Sequence, residues 1–330
     1  MDNCIDNWID TFRRANLPCS ITHVEKLTGG KNNQVFLIHT DQEKFVVKKY
    51  FPGGHDRQHH EARFLEYCAH SNISTVPRLL FEDKKAHISL LSYIDGISPS
   101  IDTITHSHIT QACQFIIDLQ RHIHTNYLPT AIDSCFTTED IISGIHNRLL
   151  RLERTPNTNE VENTMHKFVQ YLQKKHEQTI DHMHKIDKSI HRRFTTVVSP
   201  SDFGFHNALL QETSMHFLDF EYAGMDSIEK LLGDFFSQPR IPIHIDHLSF
   251  FCEQLQNVSI PLSTEQMQAI LPLFKIKWCT ILLNEFTTES QRRDFALSTD
   301  PYRKASQLQK AITYCTNYLD RNTPQFDLCN

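Results

Sequence analysis

Apolar positions follow two rhythms along the chain. Residues 4–15 carry Ile5, Trp8, Ile9 and Phe12 at helical spacing, which predicts a short amphipathic helix. After Pro18 the period shortens. ITHVEKL (21–27), QVFLIH (34–39) and KFVVKKY (44–50) are brief and rich in β-branched and aromatic residues. TGGKNN (28–33) and HTDQE (39–43) supply turn chemistry between them, so three strands in an antiparallel meander are expected. HHEARFLEYCAH (59–70) reads as a helix, and RLLFED with AHISLLS (78–92) as a hairpin. From about residue 100 the three-to-four spacing dominates, at 108–124, 139–154, 163–186 and 267–286, with Pro272 as a break or kink in the last. Further helices are expected at 246–257 and 301–320. Residues 207–219 are the exception and read as strand–turn–strand. The pattern predicts an α+β protein with a small sheet-bearing N-terminal lobe (1–93) and a large, mainly helical C-terminal lobe (94–330). SYIDGISPS (92–100) would be the hinge.

Composition narrows the function classes. Among 330 residues, 39% are hydrophobic, 22% are charged, and the net charge is −6. No basic stripe is present, so no nucleic-acid partner is expected. No run of about 18 apolar residues is present, so no membrane span is expected. The start, MDNCIDNWIDTFRRANL, lacks the basic and apolar regions of a signal peptide. Nine cysteines are scattered without a C-x-x-C pair, which points to reduced thiols and a cytoplasmic location. Of the 21 histidines, His55 and His59 stand four apart within HDRQHHEAR. With no H-E-x-x-H and no third ligand in view, a solvated helix face is the default reading there.

Candidate chemistry centres on SPSDFGFHNALL (199–210). Asp202 is followed five residues later by Asn207, then by two apolar runs around a polar turn near Thr213. Counting outward from Thr213, Asn207 and Asp219 are equidistant and would lie side by side at the hairpin's open end. A carboxylate beside a carboxamide oxygen suits Mg2+. In the first lobe, Lys48 and Val46 share one face of a strand, while Lys49 points to the other. Glu61 and Glu66 on the next helix compete as partners for Lys48, with Glu61 nearer the helix start. The turn at Gly29 and Gly30 could lay backbone N–H groups over phosphates.

The order of these parts resembles the phosphotransferase core of the protein-kinase superfamily. More closely, residues 20–290 resemble the aminoglycoside phosphotransferase and choline kinase-like family. The family's H-G-D-x-x-x-x-N appears as PSDFGFHN, its I-D-W/F-E as LDFE, and its G-G-x-x-N-x-V-F at 29–36. The resemblance implies a bilobal protein-kinase-like fold that uses ATP and Mg2+ to phosphorylate a hydroxyl of a small molecule: a sugar, an aminoglycoside-like compound or an amino alcohol. It implies Asp202 as base or orienting group, Asn207 and Asp219 as metal ligands, and Lys48 held by Glu61. Val46 would lie against adenine, and backbone groups of Ser92 and Ile94 would contact it. Glu221 also fits the pattern. Asp234 would be a structural carboxylate bonded to the catalytic loop. Phe205 and Tyr222, and Asn284 and Glu285, are candidates to touch the acceptor. Two departures stand out: Pro200 replaces the family's His, and Ser201 its Gly. The lost His and the sparse glycine loop motivate the alternative of an inactive kinase-like protein that binds a nucleotide or a partner. A protein kinase is disfavoured by the absence of H-R before Asp202 and of an A-P-E motif.

Overall fold

The computed structural model describes residues 3–27, 32–53, 55–121, 128–186, 193–288, 290–297 and 300–326. In chain order the elements are α1 (Asn3–Arg14), β1 (Ile21–Leu27), β2 (Gln34–Thr40), β3 (Lys44–Lys49), α2 (Arg57–His70), β4 (Leu79–Asp83), β5 (Ile88–Ser92) and α3 (His106–Asp118). Next come α4 (Thr138–Glu153), α5 (Glu160–Ile186), β6 (Thr196–Ser199), β7 (Ala208–Gln211), β8 (Ser214–Phe217) and β9 (Gly224–Ser227). The chain continues with α6 (Ile228–Ser237), α7 (Leu248–Asn257), α8 (Thr264–Leu282), α9 (Ser290–Ala296) and α10 (Arg303–Tyr314). The contacts divide the chain into two compact units, 1–132 with 198–225 and 292–298, and the remainder.

In the first unit the five N-terminal strands form one antiparallel sheet in the order β1-β2-β3-β5-β4. The three-strand meander is present, and the β4–β5 hairpin joins it through β5. Alternation sorts the two faces. Ile38, Phe45, Val47, Ile88 and Leu90 point to one side, where Trp8 and Phe12 of α1 complete a closed core. Ile9, on the expected apolar stripe of α1, is exposed instead. Arg14, at the end of α1, is bonded to Asp83 of β4. The opposite face carries Val46 and Lys48, with Leu37 and Leu91 across from Val46 on the flanking strands.

Also in this unit, β7 and β8 form a hairpin with Ala208 opposite Phe217 and Gln211 opposite Ser214. The turn is therefore two residues, Glu212 and Thr213, with Glu212 left-handed (φ 53°). This register places Asn207 opposite Leu218, whose amide donates to the Asn207 carbonyl (2.8 Å). Asp219 lies one residue further on, which corrects the symmetric count from Thr213. Two glutamines pin the segment. Gln111 of α3 donates to the Thr213 carbonyl (2.9 Å) and accepts from the Met215 amide (2.8 Å). Gln120 makes the same paired contact with the backbone of Val198 (2.8 and 2.9 Å).

The second unit is built around α8, which packs against α4, α5, α6 and α10. Its side chains Leu273, Phe274 and Ile276 are fully buried, together with Leu231 of α6 and Phe168 of α5. The helix runs through Pro272 without a break. Asp234 of α6 takes Lys277 on both oxygens (2.9 and 2.7 Å) and lies near Lys230 (3.4 Å). Asp226 is the carboxylate that accepts backbone amides, from Cys135 (3.0 Å) and Ser227 (2.9 Å). Asp234 thus serves two lysines, which differs from the loop-bonding role expected of it. Among the described residues, no helix is long and apolar enough to cross a membrane, and no group of three His, Cys, Asp or Glu side chains is arranged to hold a metal ion.

Candidate functional site

Lys48, Glu61, Asp202, Asn207 and Asp219 all belong to the first unit. Strand alternation aims Lys48 away from the α1-covered core. Its ammonium lies 2.7 Å from Glu61 Oε2 and 2.5 Å from Asp219 Oδ1. Burial alone would lower the pKa of Lys48, but Asp219 and then Glu61 outweigh it and hold the ammonium well above its ordinary range. The lysine is therefore a fixed cation. Lys49, its neighbour, pairs in register with Gln34 and Ile88 and faces the other side.

Glu61 is 2% exposed, so its charge is tolerable only because every neighbour is a donor. Besides Lys48 it accepts from the Tyr50 hydroxyl (2.5 Å) and the Phe220 amide (3.1 Å). That last bond ties α2 to the residue after Asp219. Glu66, the competing glutamate, pairs with Arg63 at the surface (2.9 Å).

Aromatic packing fixes the two acidic segments. Phe203, next to Asp202, stacks on Phe115 of α3 (5.6 Å between centroids), and Phe115 stacks on Phe217 (4.6 Å). Phe220, next to Asp219, stacks on Phe64 of α2 (4.5 Å). Each such pair adds about 0.5–1.5 kcal/mol beyond area burial. With these neighbours locked inside, Asp202 and Asp219 stay at the surface of the core, their side chains 38% and 39% exposed. Phe205 is buried and packs rather than facing outward.

The backbone is strained at both places. Ser201 (φ 66°) and Asp219 (φ 65°) are left-handed, a conformation that favours glycine. At 201 the resembling family carries that glycine. Beyond Asp219, Gly224 permits a close approach: a Cβ there would stand 2.3 Å from the Pro129 carbonyl oxygen. Met225 donates to that same carbonyl (2.8 Å), and Ala131 donates back to Met225 (2.9 Å).

Asn207 donates through Nδ2 to the Asp202 carbonyl (2.9 Å), which turns its amide oxygen the other way. The Asn207 amide oxygen and the Asp219 carboxylate are hard oxygen donors of the kind a magnesium ion takes. Val46 is half-buried on the Lys48 face. The Ser92 amide is committed to the Arg78 carbonyl (3.0 Å). Ile94 follows, half-buried. Gly29 and Gly30 lie outside the described residues. Asn284 and Glu285 belong to the second unit, where Glu285 is buried against Arg303 (3.1 Å).

Several contacts went unforeseen in the sequence. Glu221 is buried and accepts from Asn32 (2.7 Å) and Asn33, the two residues that precede β2. Arg57, at the start of α2, lies 3.8 Å from Glu221 and over the ring of Tyr222 (4.9 Å). Burial, then the charge of Asp219, pushes the Glu221 carboxyl up from its ordinary range. His206 lies on Asp202 (3.2 Å). The last contact had a signal, since residues four apart meet wherever the chain turns helically. The others join distant segments that no local spacing relates.

The model of the phosphotransferase enzyme family APH matches residues 23–229. The chain belongs to that family. No curated protein sequence matches it. Solved structures extend the likeness. Ethanolamine kinase from Plasmodium vivax is 12% identical, with a TM-score of 0.60 over 91% of this chain and 83% of that one. Choline kinase LicA from Streptococcus pneumoniae is 18% identical, at 0.58 over 96% and 100%. Spectinomycin phosphotransferase APH(9)-Ia, solved with ADP and spectinomycin, is 14% identical, at 0.60 over 94% and 98%. At these identities the likeness is one of fold, and the fold is protein-kinase-like.

Proposed function

We propose that this protein transfers the γ-phosphoryl group of ATP to a hydroxyl of a small molecule, a sugar, an aminoglycoside-like compound or an amino alcohol. The observation that carries the reading is the Lys48–Glu61–Asp219 ion triad, its lysine and glutamate buried, in the same compact unit as Asp202 and Asn207. A nucleotide triphosphate needs a fixed cation, and Lys48 is one. Glu61 keeps that cation in place. Val46 packs on the adenine, the backbone of Ser92 and Ile94 contacts it, and the backbone N–H groups of Gly29 and Gly30 would serve the phosphates. Asn207 and Asp219 would hold Mg2+, which would neutralise charge on the phosphates. Asp202 accepts or orients the acceptor's hydroxyl proton, so the hydroxyl oxygen attacks phosphorus as the bond to ADP breaks. The division into lobes at 1–93 and 94–330 follows from the same reading. The described free cysteines are compatible with a reducing cytoplasm.

The test is transfer of label from γ-labelled ATP to choline, ethanolamine and spectinomycin, the substrates of the structural relatives. Wild type should label at least one acceptor of this class. Asp202→Asn should bind nucleotide normally and lose transfer by at least about 100-fold. Full turnover by Asp202→Asn would remove Asp202 from the reaction.

A further inference from the structure

His206 sits in the single helical turn Phe205–Asn207, between a buried phenylalanine and the asparagine that holds the Asp202 backbone. Its side chain is 10% exposed. Nε2 lies 3.2 Å from Asp202 Oδ1, while Nδ1 is buried and makes no hydrogen bond. The carboxylate can only accept, so the contact requires the proton on Nε2. The opposite tautomer would set a lone pair against the carboxylate and bury an unpaired N–H. Asn207 thus holds the Asp202 carbonyl and His206 its carboxylate.

Resting on the reading of Asp202 above, we propose that His206 is a positioning residue that holds Asp202 at Oδ1 in the orientation needed to meet the acceptor hydroxyl. The Asp202 carboxylate is 38% exposed, and the His206 N–H supplies a donor at a fixed place on its Oδ1. A donor fixed there favours one carboxylate orientation before the acceptor arrives. The donated N–H carries the effect. Leucine at this position keeps the bulk without the donor, and glutamine keeps an N–H at nearly the same reach.

The experiment compares wild type, His206→Leu and His206→Gln for phosphoryl transfer from Mg·ATP to choline, ethanolamine, spectinomycin and water. ATP affinity is measured in parallel by titration calorimetry. His206→Leu should lower kcat by about 10- to 100-fold with KM for ATP and ATP affinity within about 2-fold of wild type. His206→Gln should recover most of that loss. Wild-type kcat in His206→Leu, or equal losses in both variants, would overturn the proposal while leaving the transferase reading intact. Wild type that transfers to none of the four acceptors would overturn both. A fall in ATP affinity in His206→Leu would mark a packing role and overturn the proposal alone.

Discussion

Replacing Glu61 with alanine removes one carboxylate that three groups depend on. The Tyr50 hydroxyl and the Phe220 amide would be left buried without acceptors, each at a cost of about 1–3 kcal/mol. Lys48 would lose one of its two anions but keep Asp219 at 2.5 Å, so the full 3–5 kcal/mol typical of breaking a buried pair does not apply on top. The expected loss is about 3–5 kcal/mol in total. Glu61→Gln keeps one acceptor oxygen but brings two N–H donors toward the lysine, and should cost roughly half as much. Trp8 lies in the sheet core of the same unit and reports its unfolding, once Trp278 of the second unit is replaced by phenylalanine. With a urea slope of about 2 kcal/mol per M, the midpoint should fall by about 2 M in Glu61→Ala. A shift below about 0.5 M would refute the claim that Glu61 joins β3, α2 and the Asp219 segment.

Other consequences follow from packing and titration. Gly224→Ala would drive a Cβ into the Pro129 backbone carbonyl, and thermal unfolding should register a loss of about 2 kcal/mol or more; an unchanged midpoint would contradict the close approach. His176 of α5 is almost fully buried, and burial followed by the neighbouring His146 pushes its pKa down to about 4. The unfolded chain binds this proton first. Stability is therefore lost as pH falls from about 6.5 to about 4, by up to about 1.4 kcal/mol per unit. Denaturation across that window should show the slope reduced in His176→Leu, and an identical slope would count against a buried neutral imidazole.

Much of this architecture is written in local pattern, and the exceptions have physical causes. The meander of β1, β2 and β3 was legible because each strand is short, β-branched and bounded by turn residues. The long helices α4 and α5 were legible because their apolar spacing is sustained. Ile9 fits the helical stripe, yet the sheet face it would cover is already filled by Trp8 and Phe12. Pro272 reads as a breaker, but packing against the surrounding helices outweighs one missing hydrogen bond. The hairpin's symmetry misled by one residue because register depends on turn length, and a two-residue turn moves the axis off Thr213. Within the site, the side chains that carry a recognisable spacing were legible. Asn32, Asn33 and Arg57 were not, because their partner Glu221 lies more than 160 residues away in the chain and only folding brings them together.

The most direct test of the central claim is calorimetric titration of a non-hydrolysable ATP analogue, with and without Mg2+, on wild type and Asp219→Ala. The account predicts binding by wild type that Mg2+ strengthens, and loss of that strengthening in Asp219→Ala. Absence of binding by wild type in Mg2+, or unchanged Mg2+-dependent binding by Asp219→Ala, would contradict it.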